Sequence, residues 1–131
     1  MSRLLSGIRN PLLRAWALDG AIGHPNRLRY LVANFEPGDA HRIQPALMLP
    51  LETDAAHDRC AILLRLHEAH PDEDWAGCLL HVYARGPSSL QREEALERLV
   101  DDSAAPPWLL AEACWDAHPA VAQAAREAES S

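Results

Sequence analysis

The sequence predicts an all-α protein, and three observations lead to that fold class. Strict alternation of apolar and polar residues is rare, and aromatic residues make up only 5% of the chain. Apolar residues recur instead at helical spacing. Three His-Pro dipeptides follow such apolar runs, at intervals of 46 and 48 residues: His24-Pro25, His70-Pro71 and His118-Pro119. Because proline is tolerated in the first turn of a helix, each dipeptide predicts a chain reversal and the start of a second helix.

A recurrence of this length is typical of helical arrays, in which each unit buries its apolar face against its neighbours. The ninth residue before each of the three prolines is large and apolar: Trp16, Ile62 and Leu110. The sequence therefore predicts a right-handed α-solenoid with a period of about 47 residues, built from about three helical-hairpin repeats. It would contain seven to nine helices in a single domain of 131 residues, with repeats at 10–50, 53–101 and 105–129.

The first repeat begins with Asn10 as an N-cap and Pro11 in the first helical position, and this helix should end near Gly20 and Gly23. A second helix is predicted from Pro25 to about Phe35. A shorter connecting helix follows at 39–49, bent or delayed by the proline at position 45.

In the second repeat, Thr53 is predicted to cap a helix that runs to the second His-Pro turn, and Asp72, Glu73 and Asp74 occupy the first turn of the next helix. Gly86-Pro87 ends that helix, and Ser88 with Gln91 forms a capping box for a connecting helix that reaches Asp101. In the third repeat, one helix begins at Pro106-Pro107 and a last one begins at Pro119 and frays beyond Glu127.

One segment resembles a known group of proteins: Asp102-Ser-Ala-Ala-Pro-Pro-Trp-Leu-Leu-Ala-Glu-Ala-Cys-Trp-Asp-Ala-His-Pro-Ala-Val-Ala-Gln-Ala-Ala125. It looks like HEAT and armadillo-like repeats and the leucine-rich repeat variant, which have a short Asp/Pro turn before a second helix containing valine. An arginine commonly follows that valine in those families, whereas Ala122 and Gln123 stand there in this chain. The resemblance implies a binding scaffold whose concave face is lined by 25–35, 71–85 and 119–128.

Charge is distributed unevenly along the chain. Residues 1–65 contain eight arginines and six acidic residues, whereas residues 66–131 contain four arginines and thirteen acidic residues. The expected function is a non-catalytic protein-interaction scaffold, such as an adaptor, an assembly factor or an immunity-type protein, whose acidic half attracts a partner with a basic surface. Solvated helix faces without any partner would give the same pattern. The residues predicted to bind the partner are Glu68, Asp72, Glu73, Asp74, Glu93, Glu94 and Glu97.

Two alternative functions have candidate residues. A metal-dependent helical enzyme would use ligands of the types that zinc prefers, namely His57, Cys60, His67 and His70. Two of these histidines, ten residues apart, lie about 15 Å apart along a straight helix, so a helix break or a second chain would be needed to bring them together. A nucleic-acid-binding repeat protein would use Arg27, Arg29 and Tyr30, although the acidic isoelectric point of about 5.4 disfavours it.

Composition limits the remaining possibilities. The chain has no lysine, which excludes Schiff-base and P-loop lysine chemistry, and no cofactor or catalytic residue is predicted. The cysteines are odd in number and lie within apolar helical patterns, and no long apolar run occurs, so a reduced cytoplasmic protein is predicted. Twelve arginines without a lysine, together with abundant alanine and leucine, are typical of a GC-rich bacterial genome. The opposite charge at the two ends of the predicted array predicts weak head-to-tail self-association. The four tryptophans are interpreted as inter-helix packing in preference to a ligand cage: Trp16, Trp75, Trp108 and Trp115.

Overall fold

The computed structural model describes residues 10–18, 22–116 and 118–130, and these residues form nine helices and no strand. The all-α prediction is therefore confirmed. None of the helices in the described ranges has the length and apolar character needed to cross a membrane. In chain order the helices are α1 (Pro11–Leu18), α2 (Pro25–Leu28), α3 (Leu31–Asn34), α4 (Asp39–Ala46), α5 (Thr53–Ala69), α6 (Ala76–Arg85), α7 (Ser89–Asp101), α8 (Pro107–Ala113) and α9 (Pro119–Ser130).

The chain divides into two compact units, and the boundary lies inside α6. Unit 1 is Met1–Cys78 and unit 2 is Leu79–Ser131. In unit 1, α2 and α3 pack against the long helix α5, and α1 packs on α2 and α3. In unit 2, α9 packs on both α7 and α8. The side chains that fill the two cores are apolar and almost fully buried, among them Leu28, Leu31, Ile43, Leu63 and Leu66 in unit 1 and Leu96, Leu99, Leu109 and Val121 in unit 2.

Helix starts follow the predicted capping residues at several places. The Asn10 side-chain oxygen accepts the backbone N–H groups of Leu12 and Leu13, at 2.8 and 3.4 Å. The Ser88 hydroxyl accepts the N–H of Gln91 at 3.4 Å and caps α7. Pro107 occupies the first position of α8. The predicted end of α1 at Gly20 lies outside the described residues.

Thr53 was expected to cap α5 but is its first helical residue, and Glu52 precedes it without a side-chain bond to the helix. The single helix predicted from Pro25 to Phe35 is also wrong, because the chain turns between α2 and α3. The N–H groups of Tyr30 and Val32 bond to carbonyls three residues earlier, which tightens the chain and interrupts the α-helical ladder.

Two of the three His-Pro dipeptides start helices as predicted. The His24 ring nitrogen Nδ1 accepts the N–H of Asn26 at 3.2 Å, and Pro25 is the first residue of α2. His118-Pro119 likewise opens α9, where the His118 carbonyl accepts the N–H of Ala122.

At the remaining dipeptide, the predicted helix start is wrong, because α6 begins at Ala76. Trp75 is buried, and its indole N–H donates to the His70 carbonyl at 2.7 Å. A buried indole requires such an acceptor, and this bond holds the segment 71–75 in a turn. Asp72, Glu73 and Asp74 therefore precede α6 instead of lying in its first turn.

Candidate functional site

A pocket of about 490 Å³ lies beside α8 in unit 2. We name it the aromatic pocket. Its wall is formed by the C-terminal part of α6 and the start of α7, and its opposite side by α8 and the turn that follows. The side chains that define it are Tyr83, Arg92, Trp108, Glu112, Trp115 and Asp116.

Two tryptophans of the pocket are exposed, contrary to the prediction that they pack in the core. Trp108 is 61% exposed and Trp115 is 87% exposed. Leu109 and Ala113 occupy the buried face of α8, so the face that carries the tryptophans is left to solvent. Their separation of seven residues places both on one side of the helical segment, and they line the same pocket.

The other two tryptophans lie in unit 1. Trp75 is buried, which confirms the packing interpretation for that residue. Trp16 is 42% exposed and contacts two neighbours. The Arg27 guanidinium lies 4.5 Å from its ring centre, and the Tyr30 ring meets it edge-on with 5.2 Å between ring centres.

Arg92 organises the wall of the aromatic pocket. Its Nε donates to the Tyr83 carbonyl at 3.0 Å, its guanidinium carbon lies 5.4 Å from the Tyr83 ring centre, and Nη2 forms an ion pair with Asp116. Burial opposes ionisation of Asp116, but the N–H of His118 and the Arg92 guanidinium outweigh it and hold the pKa of that carboxyl below its ordinary value. Burial, followed by the Asp116 charge, raises the pKa of Tyr83.

Glu112 is the second carboxylate of the aromatic pocket. It is exposed, and within the described part of the chain it makes no ion pair. Since the Asp116 charge is balanced by Arg92, the Glu112 carboxylate supplies the uncompensated charge of the pocket.

A second feature of unit 2 is the acidic groove between α7 and α9, defined by Glu97, Asp101 and Glu127. It has a volume of about 210 Å³, and Leu96 and Val100 contribute apolar surface to it. Burial raises the pKa of Glu97, and the negative charges of Glu93, Glu94, Asp101 and Glu127 raise it further. Repulsion between like charges therefore concentrates at this groove.

The acidic residues predicted to bind a partner are divided between the two units. Glu93, Glu94 and Glu97 lie together on α7, where Glu94 also forms an ion pair with Arg98 at 2.7 Å. In unit 1, Glu68 and Asp72 are exposed. The other two predicted residues, Glu73 and Asp74, accept hydrogen bonds from backbone N–H groups of unit 1.

Glu73 accepts the N–H of Gly38 at 2.8 Å, and Asp74 accepts the N–H of Ala76 at 3.2 Å. These two carboxylates therefore stabilise the local backbone of unit 1.

The sequence prediction did not include Asp101 and Glu127 in the acidic surface. The spacing of four residues between Glu93, Glu97 and Asp101 was a signal for the first, whereas the packing of α9 on α7 brings in the second.

The alternative metal ligands are dispersed on and after α5. His57 is exposed, Cys60 and His67 are buried, and the His70 ring stacks on Phe35 with 4.2 Å between ring centres. Burial raises the pKa of the Cys60 thiol to about 11. In the residues that the structure describes, no group of three or more His, Cys, Asp or Glu side chains is arranged to hold a metal ion.

The alternative nucleic-acid residues belong to the cluster around Trp16. Tyr30 is buried, and Arg27 donates to the Trp16 carbonyl at 2.7 Å in addition to covering its ring. Arg29 is half-buried. Two of the three residues thus make contacts within unit 1.

Glu97→Gln is expected to raise the free energy of unfolding by about 0.5 kcal/mol at neutral pH, because it removes like-charge pairs with residues four positions before and after it on α7. The pKa of Glu97 is raised in the folded state, so wild-type stability falls as the pH rises through that pKa. The extra stability of Glu97→Gln over the wild type should therefore disappear in acid, where Glu97 is protonated. Urea unfolding at several pH values measures the effect.

Glu94→Gln is the matched control, because it removes the same charge from the same helix but loses the ion pair with Arg98. This variant should be equally stable or slightly less stable than the wild type. A loss of stability in Glu97→Gln at neutral pH would show that Glu97 is not under net repulsion.

Comparison with known proteins gives no match: no family model, no curated protein and no solved structure matches the chain. The two surfaces of unit 2 therefore have to be interpreted from their own chemistry.

Proposed function

We propose that this chain is a non-catalytic protein-interaction module that binds a partner with a basic surface through unit 2. The observation that carries the proposal is the pair of exposed tryptophans, Trp108 and Trp115, that line one pocket in an acidic unit. Tryptophan is enriched among the residues that dominate binding energy at protein interfaces. Residues 79–131 contain nine acidic residues and four arginines, so this unit has a net charge of −5.

The acidic groove supports the same partner chemistry. Burial and then the charges of four neighbouring carboxylates raise the pKa of Glu97, and a cationic side chain placed there would relieve the repulsion between them. A surface of one charge also accelerates encounter with an oppositely charged partner. The expected mode of binding is therefore electrostatic attraction to α7 and α9, followed by burial of the tryptophans.

The finer architecture is part of the proposal. We infer a HEAT- or armadillo-like array of helical hairpins, supported by the two His-Pro dipeptides that start α2 and α9.

The free cysteines Cys60, Cys78 and Cys114 support a reducing compartment such as the bacterial cytoplasm. Burial raises the pKa of Cys78 to about 12, so that thiol is protonated at neutral pH.

The test compares affinity capture from the native cell by the wild type and by the triple variant Glu93→Gln, Glu94→Gln, Glu97→Gln. The wild type should retain a basic protein, and the purified complex should weaken on the order of tenfold in the variant at low salt. The difference should shrink as salt rises, because surface charges are screened.

A charge-matched control removes three exposed carboxylates from unit 1, at Glu52, Asp54 and Asp58. This control should bind the partner as the wild type does. Equal weakening by both triple variants, or capture of no basic protein, would refute the proposed function.

A further inference from the structure

We propose that the aromatic pocket binds an arginine side chain of the basic partner. This inference rests on the proposed function and names the group that the pocket recognises. Trp108, Glu112 and Trp115 stand at positions i, i+4 and i+7, so two aromatic rings and one carboxylate project from the same side of α8 and its following turn.

The chemistry of these three side chains fits a guanidinium better than an ammonium group. A guanidinium is planar and weakly hydrated, and it stacks on aromatic faces while its N–H groups donate to a carboxylate. An ammonium group is a compact and strongly hydrated charge, so it loses more on entering an aromatic site. Two tryptophan rings beside Glu112 offer both surfaces that a guanidinium uses.

Two arginine–aromatic contacts of this kind lie within the part of the chain that the structure describes. Arg27 lies over Trp16 at 4.5 Å, and Arg92 lies over Tyr83 at 5.4 Å. The second contact forms a wall of the aromatic pocket, where Arg92 is already neutralised by Asp116. An incoming arginine would therefore meet the carboxylate of Glu112, which is unpaired among the described residues, whereas the positive charge of Arg92 is already balanced by Asp116.

Size and exposure are consistent with an occupant that enters from solvent. The volume of about 490 Å³ accommodates an extended side chain and its stem, and it falls within the range of roughly 300–1,000 Å³ that is usual for ligand pockets. The two tryptophans have most of their surface available for a partner to cover. The net negative charge of unit 2 favours a cationic occupant over an anionic one.

The experiment titrates the full chain with three blocked peptides that differ only at their basic positions, which are arginine, lysine or the neutral isostere citrulline. Binding is followed by tryptophan fluorescence and calorimetry. The arginine peptide should bind about tenfold more tightly than the lysine peptide, and the citrulline peptide should bind most weakly. Trp108→Ala and Trp115→Ala should each weaken the arginine peptide by about 30-fold.

Glu112→Gln should weaken the arginine peptide about tenfold and reduce its preference over lysine. Leu90→Ala is the matched control for the tryptophan variants, because Leu90 is 74% exposed in the same unit and lies outside the pocket. Asp58→Asn is the charge-matched control for Glu112→Gln, since it removes one exposed carboxylate from unit 1. Both controls should bind the arginine peptide as the wild type does.

Several results would overturn the inference. Salt-dependent binding that the tryptophan variants leave unchanged would show that the aromatic pocket does not bind the arginine side chain. Equal affinity for the arginine and lysine peptides would show the same. Neither result would contradict the proposed function. Wild-type retention on phosphatidylglycerol vesicles, or dimerisation, that is lost in Trp108→Ala would assign the pocket to a lipid surface or to a second copy of the chain. Failure of both cationic peptides and of any basic protein to bind would refute the proposed function itself.

Discussion

Asp39→Ala is expected to lower the free energy of unfolding by about 3 kcal/mol, because it leaves a largely buried arginine without its main counter-charge. The Asp39 carboxylate accepts both terminal nitrogens of Arg14, at 2.5 and 2.9 Å, and also the N–H of Glu36 at 2.9 Å. The same guanidinium donates to the Asn34 carbonyl at 2.7 Å. This one ion pair therefore joins α1 to the end of α3 and the start of α4.

The size of the expected loss follows from the burial of the two partners. The side chain of Asp39 is 2% exposed and that of Arg14 is 16% exposed, so water replaces the lost bonds only in part. Urea unfolding followed by circular dichroism provides the measurement.

Glu36→Gln is the matched control, because Glu36 contacts the same Arg14 at 3.0 Å but is 57% exposed. Glu36→Gln should lower the free energy of unfolding by less than about 1 kcal/mol, as is usual for surface ion pairs. Equal losses in Asp39→Ala and Glu36→Gln would contradict the assignment of Asp39 as the main partner of Arg14.

Gly23→Ala is expected to destabilise the protein by about 2 kcal/mol, because a methyl group at this position meets backbone atoms. A Cβ on Gly23 would lie 2.2 Å from the carbonyl oxygen of Ala46, and Gly23 is buried. To relieve this overlap, the C-terminal end of α4 would have to move away from Gly23. The measurement is the shift in the urea midpoint.

Gly77→Ala provides a control with the same chemical change and an equally short contact. Its Cβ would lie 2.2 Å from the side-chain amide of Gln44, which is exposed and free to rotate. Because Gly77 lies within α6, alanine also favours the helix by up to about 1 kcal/mol. Gly77→Ala should therefore be neutral or stabilising, and a loss as large as that of Gly23→Ala would contradict the distinction between backbone and side-chain contacts.

The elements predicted correctly from sequence depend on residues close together in the chain. Asn10 and Ser88 cap their helices with side chains that reach two or three residues ahead, and Gly86-Pro87 ends α6. Such interactions are specified locally, so residue type and spacing suffice to predict them. The start of α6 was missed because it depends on the burial of Trp75, which tertiary packing decides.

The candidate site was predicted only in part, for a related reason. Helical spacing placed Trp108 and Trp115 on a common face, but spacing does not decide whether that face is buried or exposed. Leu109 and Ala113 take the buried side of α8. Membership of Glu127 in the acidic groove likewise depends on the packing of α9 against α7, which no short motif specifies.

Arg92 gives the aromatic pocket a property that its aromatic residues alone lack. This single side chain bonds to the Tyr83 carbonyl before it in the chain and to Asp116 after it. A peptide that carries only α8 and the turn that follows it would contain both tryptophans and Glu112 but would lack the opposite wall, which α6 and α7 provide. Recognition at the pocket is therefore conditional on the folded unit, and by mass action a ligand that occupies it shifts the unfolding equilibrium towards the native state.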